Sequence, residues 1–274
     1  MSDLDRNVAA AQYGRPLTRA EAAVVDEGLR AYMLRIYNYM VLGLAITGFA
    51  ALGAYMVSVT GDAASAAKVM RGGSEVAVAM RQGVYLTPIG YYLFVSPLKW
   101  VIILAPLALV FLLSFRIQSM RPTTAHIAFW AYAALVGVSL GILFLVFTHT
   151  SIVRVFFITA ASFGALSLWG YTTQRDLSGF GSFLIMGLFG IIIASLVNIF
   201  LASTMMQWVI SVIGVIVFAG LTAYDTQRLK NEYIYGAMEG EVLERSAIMG
   251  ALSLYLDFLN LFTFLLQLLG SREE

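Results

Sequence analysis

From position 37 onward the apolar residues come in blocks that are long, nearly free of charge and without strand-like alternation. The blocks cover 37–59, 100–115, 127–147, 152–171, 180–201, 205–224 and 247–269. A helix crossing a bilayer needs about 20 mostly apolar residues, and a barrel strand would alternate instead. The pattern therefore predicts seven membrane-spanning helices. The second block is short for a crossing, so its helix is expected to begin earlier, near Tyr92. The first 30 residues are polar, carry both charge signs and lack the apolar core of a cleavable signal peptide, and the chain stays soluble in character up to about Arg35. This stretch reads as a tail (1–35) with a short amphipathic helix leading into a transmembrane domain (36–270). Between the first two blocks, about 60–97 is expected as a long irregular outer loop. It mixes small residues (GDAASAAK, RGGSE) with Tyr85, Tyr91, Tyr92 and Phe94, and reads as a solvated segment whose aromatics anchor at the interface. A gating or partner-binding lid is the sharper alternative.

Composition agrees with the pattern. Of 274 residues, 60% are apolar and 12% charged, and the mean hydropathy is +0.82. A soluble domain is nearer half apolar and a quarter charged, so lipid is the solvent for most of this surface. The net charge of +1 gives no reason to invoke nucleic acid. Cysteine is absent, which removes disulfides, thiolate metal sites and cysteine catalysis. Lys and Arg set the expected orientation. Eleven fall on the side of the tail (Arg6, Arg15, Arg19, Arg30, Arg35, Arg116, Arg121, Arg175, Arg228, Lys230, Arg245) and six on the other (Lys68, Arg71, Arg81, Lys99, Arg154, Arg272). The N-terminus is thus expected in the cytoplasm and the C-terminus outside.

The candidate chemistry lies in the acids. Of sixteen, fourteen fall in tails or loops, leaving Asp225 near the inner end of the sixth block and Asp257 well inside the seventh. An aspartate at the centre of a spanning helix costs about 2.5 to 3.5 kcal/mol on insertion scales, and such residues are functional by default. The blander reading has each bonded to a polar neighbour such as Asn260 or Tyr224. Consecutive helices usually lie side by side, so the two carboxyls are candidates to meet. In contact they cannot both ionise cheaply, and they titrate as one unit. Asp257 sits about eleven residues into its block, or about 16 Å, so contact requires the seventh helix to begin lower or to tilt. Arg116, closing the second block, reads as a snorkelling arginine or as a counter-charge for the pair. His126 and His149 bracket the third block too far apart to share a metal, and read as solvated loop histidines. No lysine lies within a block to carry retinal, no buried histidine is available to activate a nucleophile, and there is no P-loop or dinucleotide pattern. Gly137 and Gly141 form a GxxxG of ordinary helix-packing character. No enzyme chemistry and no cofactor are expected.

GLTAYDTQRLK around Asp225, ALSLYLDFLNLF around Asp257 and SLVNIF at 195–200 resemble the Bax inhibitor-1 family, also called the transmembrane Bax inhibitor motif family. The resemblance implies an all-α, seven-helix membrane bundle in which six helices surround a central seventh. It implies that Asp225 and Asp257 share a proton, sense pH and gate a cytosol-side closure of a calcium leak, with Arg116 at the position of an arginine that engages the pair in one state. Calcium would meet Asp225 and Asp257 only weakly and in passing, because two acids are far short of its six to eight oxygen ligands. Some bacterial members interact with a membrane-bound protease, so a non-conducting regulator of such a partner is the alternative function. A proton-coupled transporter and an aspartyl intramembrane enzyme are further rivals. The chain ends in SREE rather than in the basic tail of eukaryotic members, and its short tails without targeting signals are those expected in a bacterial inner membrane.

Overall fold

A computed structural model of the chain describes residues 19–71, 74–81, 83–236 and 240–273. Most of the tail expected at 1–35 lies outside them. Its described end is helical and continuous with the first span, as α1 (Arg19–Ser58). Short strands follow: β1 (Val59–Thr60), β2 (Lys68–Arg71), β3 (Ser74–Ala77), β4 (Ala79–Arg81) and β5 (Val84–Leu86). Then come α2 (Pro88–Phe94), α3 (Lys99–Arg116), a 3₁₀ turn at Ile117–Ser119, α4 (Pro122–Leu140) and α5 (Leu143–Val146). The last four helices are α6 (His149–Thr172), α7 (Ser178–Leu201), α8 (Thr204–Gly236) and α9 (Gly240–Leu269). Seven stretches among the described residues are long and apolar enough to span a membrane, the most buried being Gly240–Leu269. The chain is an all-helical integral membrane protein with a small β appendage.

The chain divides into two compact units. One comprises Val153–Gly270 with the chain up to Met40. Within it α8 and α9 form an antiparallel hairpin, and rings along α9 meet α6: Phe163 and Phe258 are 5.5 Å apart, Phe156 and Phe258 5.6 Å. Gly170 brings α6 against α8 so closely that a Cβ there would stand 2.2 Å from the Ala223 carbonyl oxygen, space only glycine leaves. At one end of this unit Arg35 pairs with Glu244 at 2.5 Å, the Tyr39 hydroxyl donates to the same carboxylate, and Tyr32 shares a hydrogen bond with Ser246.

The other unit is Val41–Ile152 with the final residues from Ser271. Here α4 lies on the lower half of α1: the Thr47 hydroxyl donates to the Ala133 carbonyl, and Gly137 and Gly141 lie against Thr47, Ala51 and Ala54. The GxxxG thus packs within the chain. The segment expected to be irregular is instead two small antiparallel sheets, β1-β5-β4 and β2-β3. Strand pairing satisfies backbone groups that a loop would leave to water, and Gly83 makes the β4–β5 turn at φ +73°. The second span does not begin near Tyr92. Pro97 has no N–H and disfavours helix at Ser96, so α2 ends and α3 starts afresh at Lys99. Ser96 covers the break, its hydroxyl donating to Tyr92 O and accepting from Leu98 N–H. The chain end pairs with the α5–α6 junction, through Thr148 N–H to Ser271 O and Glu273 N–H to Val146 O. The Glu273 carboxylate meets Arg81 and lies 3.7 Å from His149.

Candidate functional site

The hairpin is long because both of its helices outrun their apolar blocks. The polar sequence after Tyr224 stays helical to Gly236, and α9 starts at Gly240, seven residues before its block does. That earlier start is the condition the sequence set for the two acids to meet. Facing pairs step along the antiparallel hairpin in register: Ser246 donates to Glu232 at 3.0 Å, Arg228 to Ser253 at 3.1 Å, and Ser253 to Asp225 at 2.5 Å.

One turn further, the carboxyls of Asp225 and Asp257 lie within hydrogen-bonding reach of each other. Both are buried, 6% and 5% exposed. Asp225 is well supplied, with Ser253 on Oδ2 and the Arg228 guanidinium 3.3 Å from Oδ1, three residues along its own helix. Asp257 is not, for its Oδ2 meets no hydrogen-bond partner among the described residues. Asn260 gives its amide to Leu256 O, so it is not what holds Asp257. Two carboxyls can bond each other only if a proton lies between them.

The remaining polar residues of the AYDTQRLK segment hold this part of α8 in place. Gln227, itself buried, accepts from Leu177 N–H and donates to Arg175 O, clamping the α6–α7 connection. Lys230 donates to Tyr171 O in the last turn of α6, where a cation suits the exposed carbonyls. Thr226 bonds Thr222 O and Ser167, and Ser167 in turn bonds Tyr37, linking α8, α6 and α1 by hydroxyls. Beside Arg228 opens a cavity of about 280 Å³ lined by Ser178, Tyr224, Gln227, Arg228, Asn231 and Glu232. Arg228 lies 5.9 Å from the Tyr224 ring centroid.

Of the three residues singled out from sequence, the structure brings Asp225 and Asp257 together. Arg116 ends α3 in the other unit. Sequence reasoning missed Arg228 and Ser253. Their signal was spacing: Arg228 is at i+3 from Asp225 and Ser253 at i−4 from Asp257, each on the helix face of its acid. His149 lies against Tyr55 and Phe144, with ring centroids 5.3 and 5.5 Å away. Among the described residues no group of three or more His, Asp or Glu is placed to hold a metal ion.

Fold and site together define a multi-span helical membrane protein built around a buried aspartate pair. The family model described as inhibitor of apoptosis-promoting Bax1 matches residues 29–274, and the chain belongs to this Bax inhibitor-1 family. It is 44% identical over 248 residues to the inner membrane protein YbhL of Escherichia coli, covering 90% of this chain and 94% of YbhL. A Rickettsia prowazekii protein is 42% identical over 257 residues, 94% of this chain and 96% of the relative. A Caulobacter vibrioides protein is 40% identical over the full 274 residues of both.

Proposed function

We propose that this protein is a pH-regulated cation leak, passing Ca²⁺ through a bacterial inner membrane, in which Asp225 and Asp257 share the deciding proton. The observation that carries this reading is the contact between two buried carboxyls, one of which has an oxygen without a donor among the described residues. A carboxyl pair placed in a membrane interior at a cost of several kcal/mol is the kind of feature that marks ion and proton pathways. With one proton the pair is a hydrogen-bonded clasp between α8 and α9; without it the two charges repel and favour separation. Two carboxylates are too few for a resident calcium site, which suits an ion in transit. Arg228 is already paired with Asp225, and Arg116 is the further counter-charge that the family resemblance assigns. Membership of the family and the inner-membrane name of the E. coli relative support the location. The protein acts without catalysing a covalent reaction.

The test is Ca²⁺ flux into liposomes holding the purified chain, measured across pH. Native protein is expected to conduct with a pH-dependent rate, and Asp225→Asn or Asp257→Asn to flatten that dependence. Flux and pH response unchanged in both variants would falsify the gating role. No flux from native protein, together with capture of a membrane protease from solubilised membranes, would favour a non-conducting regulator instead.

A further inference from the structure

The α8–α9 seam continues past the carboxyl pair. Along α8 the residues at alternating four- and three-residue steps from Asp225 are Leu221, Phe218, Gly214 and Ser211. Along α9, steps of four, three and three residues from Asp257 give Leu261, Phe264 and Gln267. Steps of this kind keep one helix face toward its partner. The seam is therefore layered. Next to the acids come Leu221 and Leu261, 6% and 1% exposed. Then the rings of Phe218 and Phe264 stack at 5.9 Å, with Phe264 lying directly over Gly214, where a Cβ would stand 2.6 Å from the ring.

Beyond the rings the seam turns polar again, at the end where α7 turns into α8. Gln267 Oε1 accepts from Gln207 at 2.5 Å and from Ser211 at 2.8 Å. Gln207 in turn accepts from Asn198, whose own oxygen takes the Ser203 N–H in that turn. Four neutral polar side chains thus tie α7, α8 and α9 together about 21 Å along α8 from Asp225. None of these groups titrates at ordinary pH. Between the carboxyl layer and this amide layer the two facing pairs, Leu221 with Leu261 and Phe218 with Phe264, are apolar, and the nearby Asn260 spends its amide on Leu256 O of its own helix.

We propose that the Leu221/Leu261 and Phe218/Phe264 layers are the dry barrier of the cation path, with the amide layer as a polar station on its far side. An apolar constriction stops hydrated ions by excluding water, and needs no charge to do so. On this view the carboxyl pair changes how α8 and α9 sit, and Phe264, whose ring can lie over position 214 only because that residue is glycine, is the element that parts. The proposal rests on the leak reading above for what crosses, and on the geometry of the seam for where it is stopped.

The chain has no cysteine, so one introduced thiol reports without background. Leu221→Cys, between the carboxyl pair and the Phe218/Phe264 layer, is probed with a cationic methanethiosulfonate reagent on right-side-out and inside-out vesicles. With Phe264 intact, the thiol is expected to be inert from the amide side. Adding Phe264→Ala, or Gly214→Ala as a second way to displace the ring, is expected to speed amide-side labelling at least tenfold. Each alone, with Leu221 retained, is expected to raise Ca²⁺ leak at the closing pH by a similar factor. Faster labelling without increased leak supports the barrier and counts against the leak reading. Unchanged labelling in both variants, eluting as folded protein, overturns the barrier, and a pH-gated leak in native protein would then still stand.

Discussion

Asp257 is the residue with the least support in its surroundings, since its Oδ2 meets no donor among the described residues while Asp225 holds both Ser253 and Arg228. Asparagine has the same shape and brings its own donor, so in Asp257→Asn the amide can bond Asp225 with no shared proton. The melting temperature in detergent is expected to equal or exceed that of native protein and to vary less with pH. Asp225→Asn loses the bond to Arg228, a side chain 46% exposed, and half-solvated pairs contribute roughly 0 to 1 kcal/mol. A small drop in melting temperature is expected. A large loss for Asp257→Asn would show that its carboxylate is satisfied after all. Outside the spans, Asp176 is held below its ordinary carboxylate value by hydrogen bonds from the Ser178 side chain and then its backbone N–H. A depressed value means stability present above the unfolded-state value and lost as pH falls through the folded one. In Ser178→Ala, NMR titration is expected to show Asp176 moving part of the way up.

At the scale of elements, glycine separates packing from propensity. Gly170 lies where α6 touches the α8 backbone, and an alanine Cβ would stand 2.2 Å from a carbonyl oxygen that cannot swing aside. Gly170→Ala should push the helices apart at a cost of about 1 to 3 kcal/mol. Gly164, six residues earlier on the same helix, has nothing within 4 Å of a new Cβ. There alanine should be neutral or stabilise by about 0.5 to 1 kcal/mol. Opposite shifts in melting temperature are expected, and equal shifts would refute the contact. The seven spans were legible from apolar blocks, but the helix ends at Gly236 and Gly240 were not. Segments such as RLKNEYIYG are polar because they leave lipid, and helices do not stop where lipid stops. The five strands of 59–86 escaped notice because each has only two to four residues, too few for alternation to show. Arg228 was counted as a loop cation for the same reason that α8 was drawn too short. Leu221, Phe218 and Phe264 carry no signal in a span where most residues are apolar, and only the register of the hairpin assembles them into layers.

For the molecule as a whole, seven crossings would put the two chain ends on opposite sides of the membrane, an expectation for which the structure adds an argument that charge counting lacked. In a seven-crossing chain, the connection after the first span, the connection after the third and the chain end must share one side. In one unit these segments bond to each other: Thr148 to Ser271, Val146 to Glu273, and Arg81 to Glu273. Among segments of the other side, Arg35 meets Glu244 and Gln227 clamps the α6–α7 connection. Both sets are consistent with an odd number of crossings and require none of the seven to be re-entrant. The bias of Lys and Arg toward the second set then gives the expected direction, since positive loops tend to stay in the cytoplasm. Alkaline phosphatase, active only outside the cytoplasm, is expected to be active when fused after Glu274 or inserted at Asp62, and inactive after Arg175. A fluorescent protein that matures only in the cytoplasm should give the complementary pattern. Equal reporter activity at Asp62 and Arg175 would break the seven-crossing assignment. Activity reversed at all three sites would keep the crossings and invert the molecule, placing the cavity beside Arg228 on the outer face.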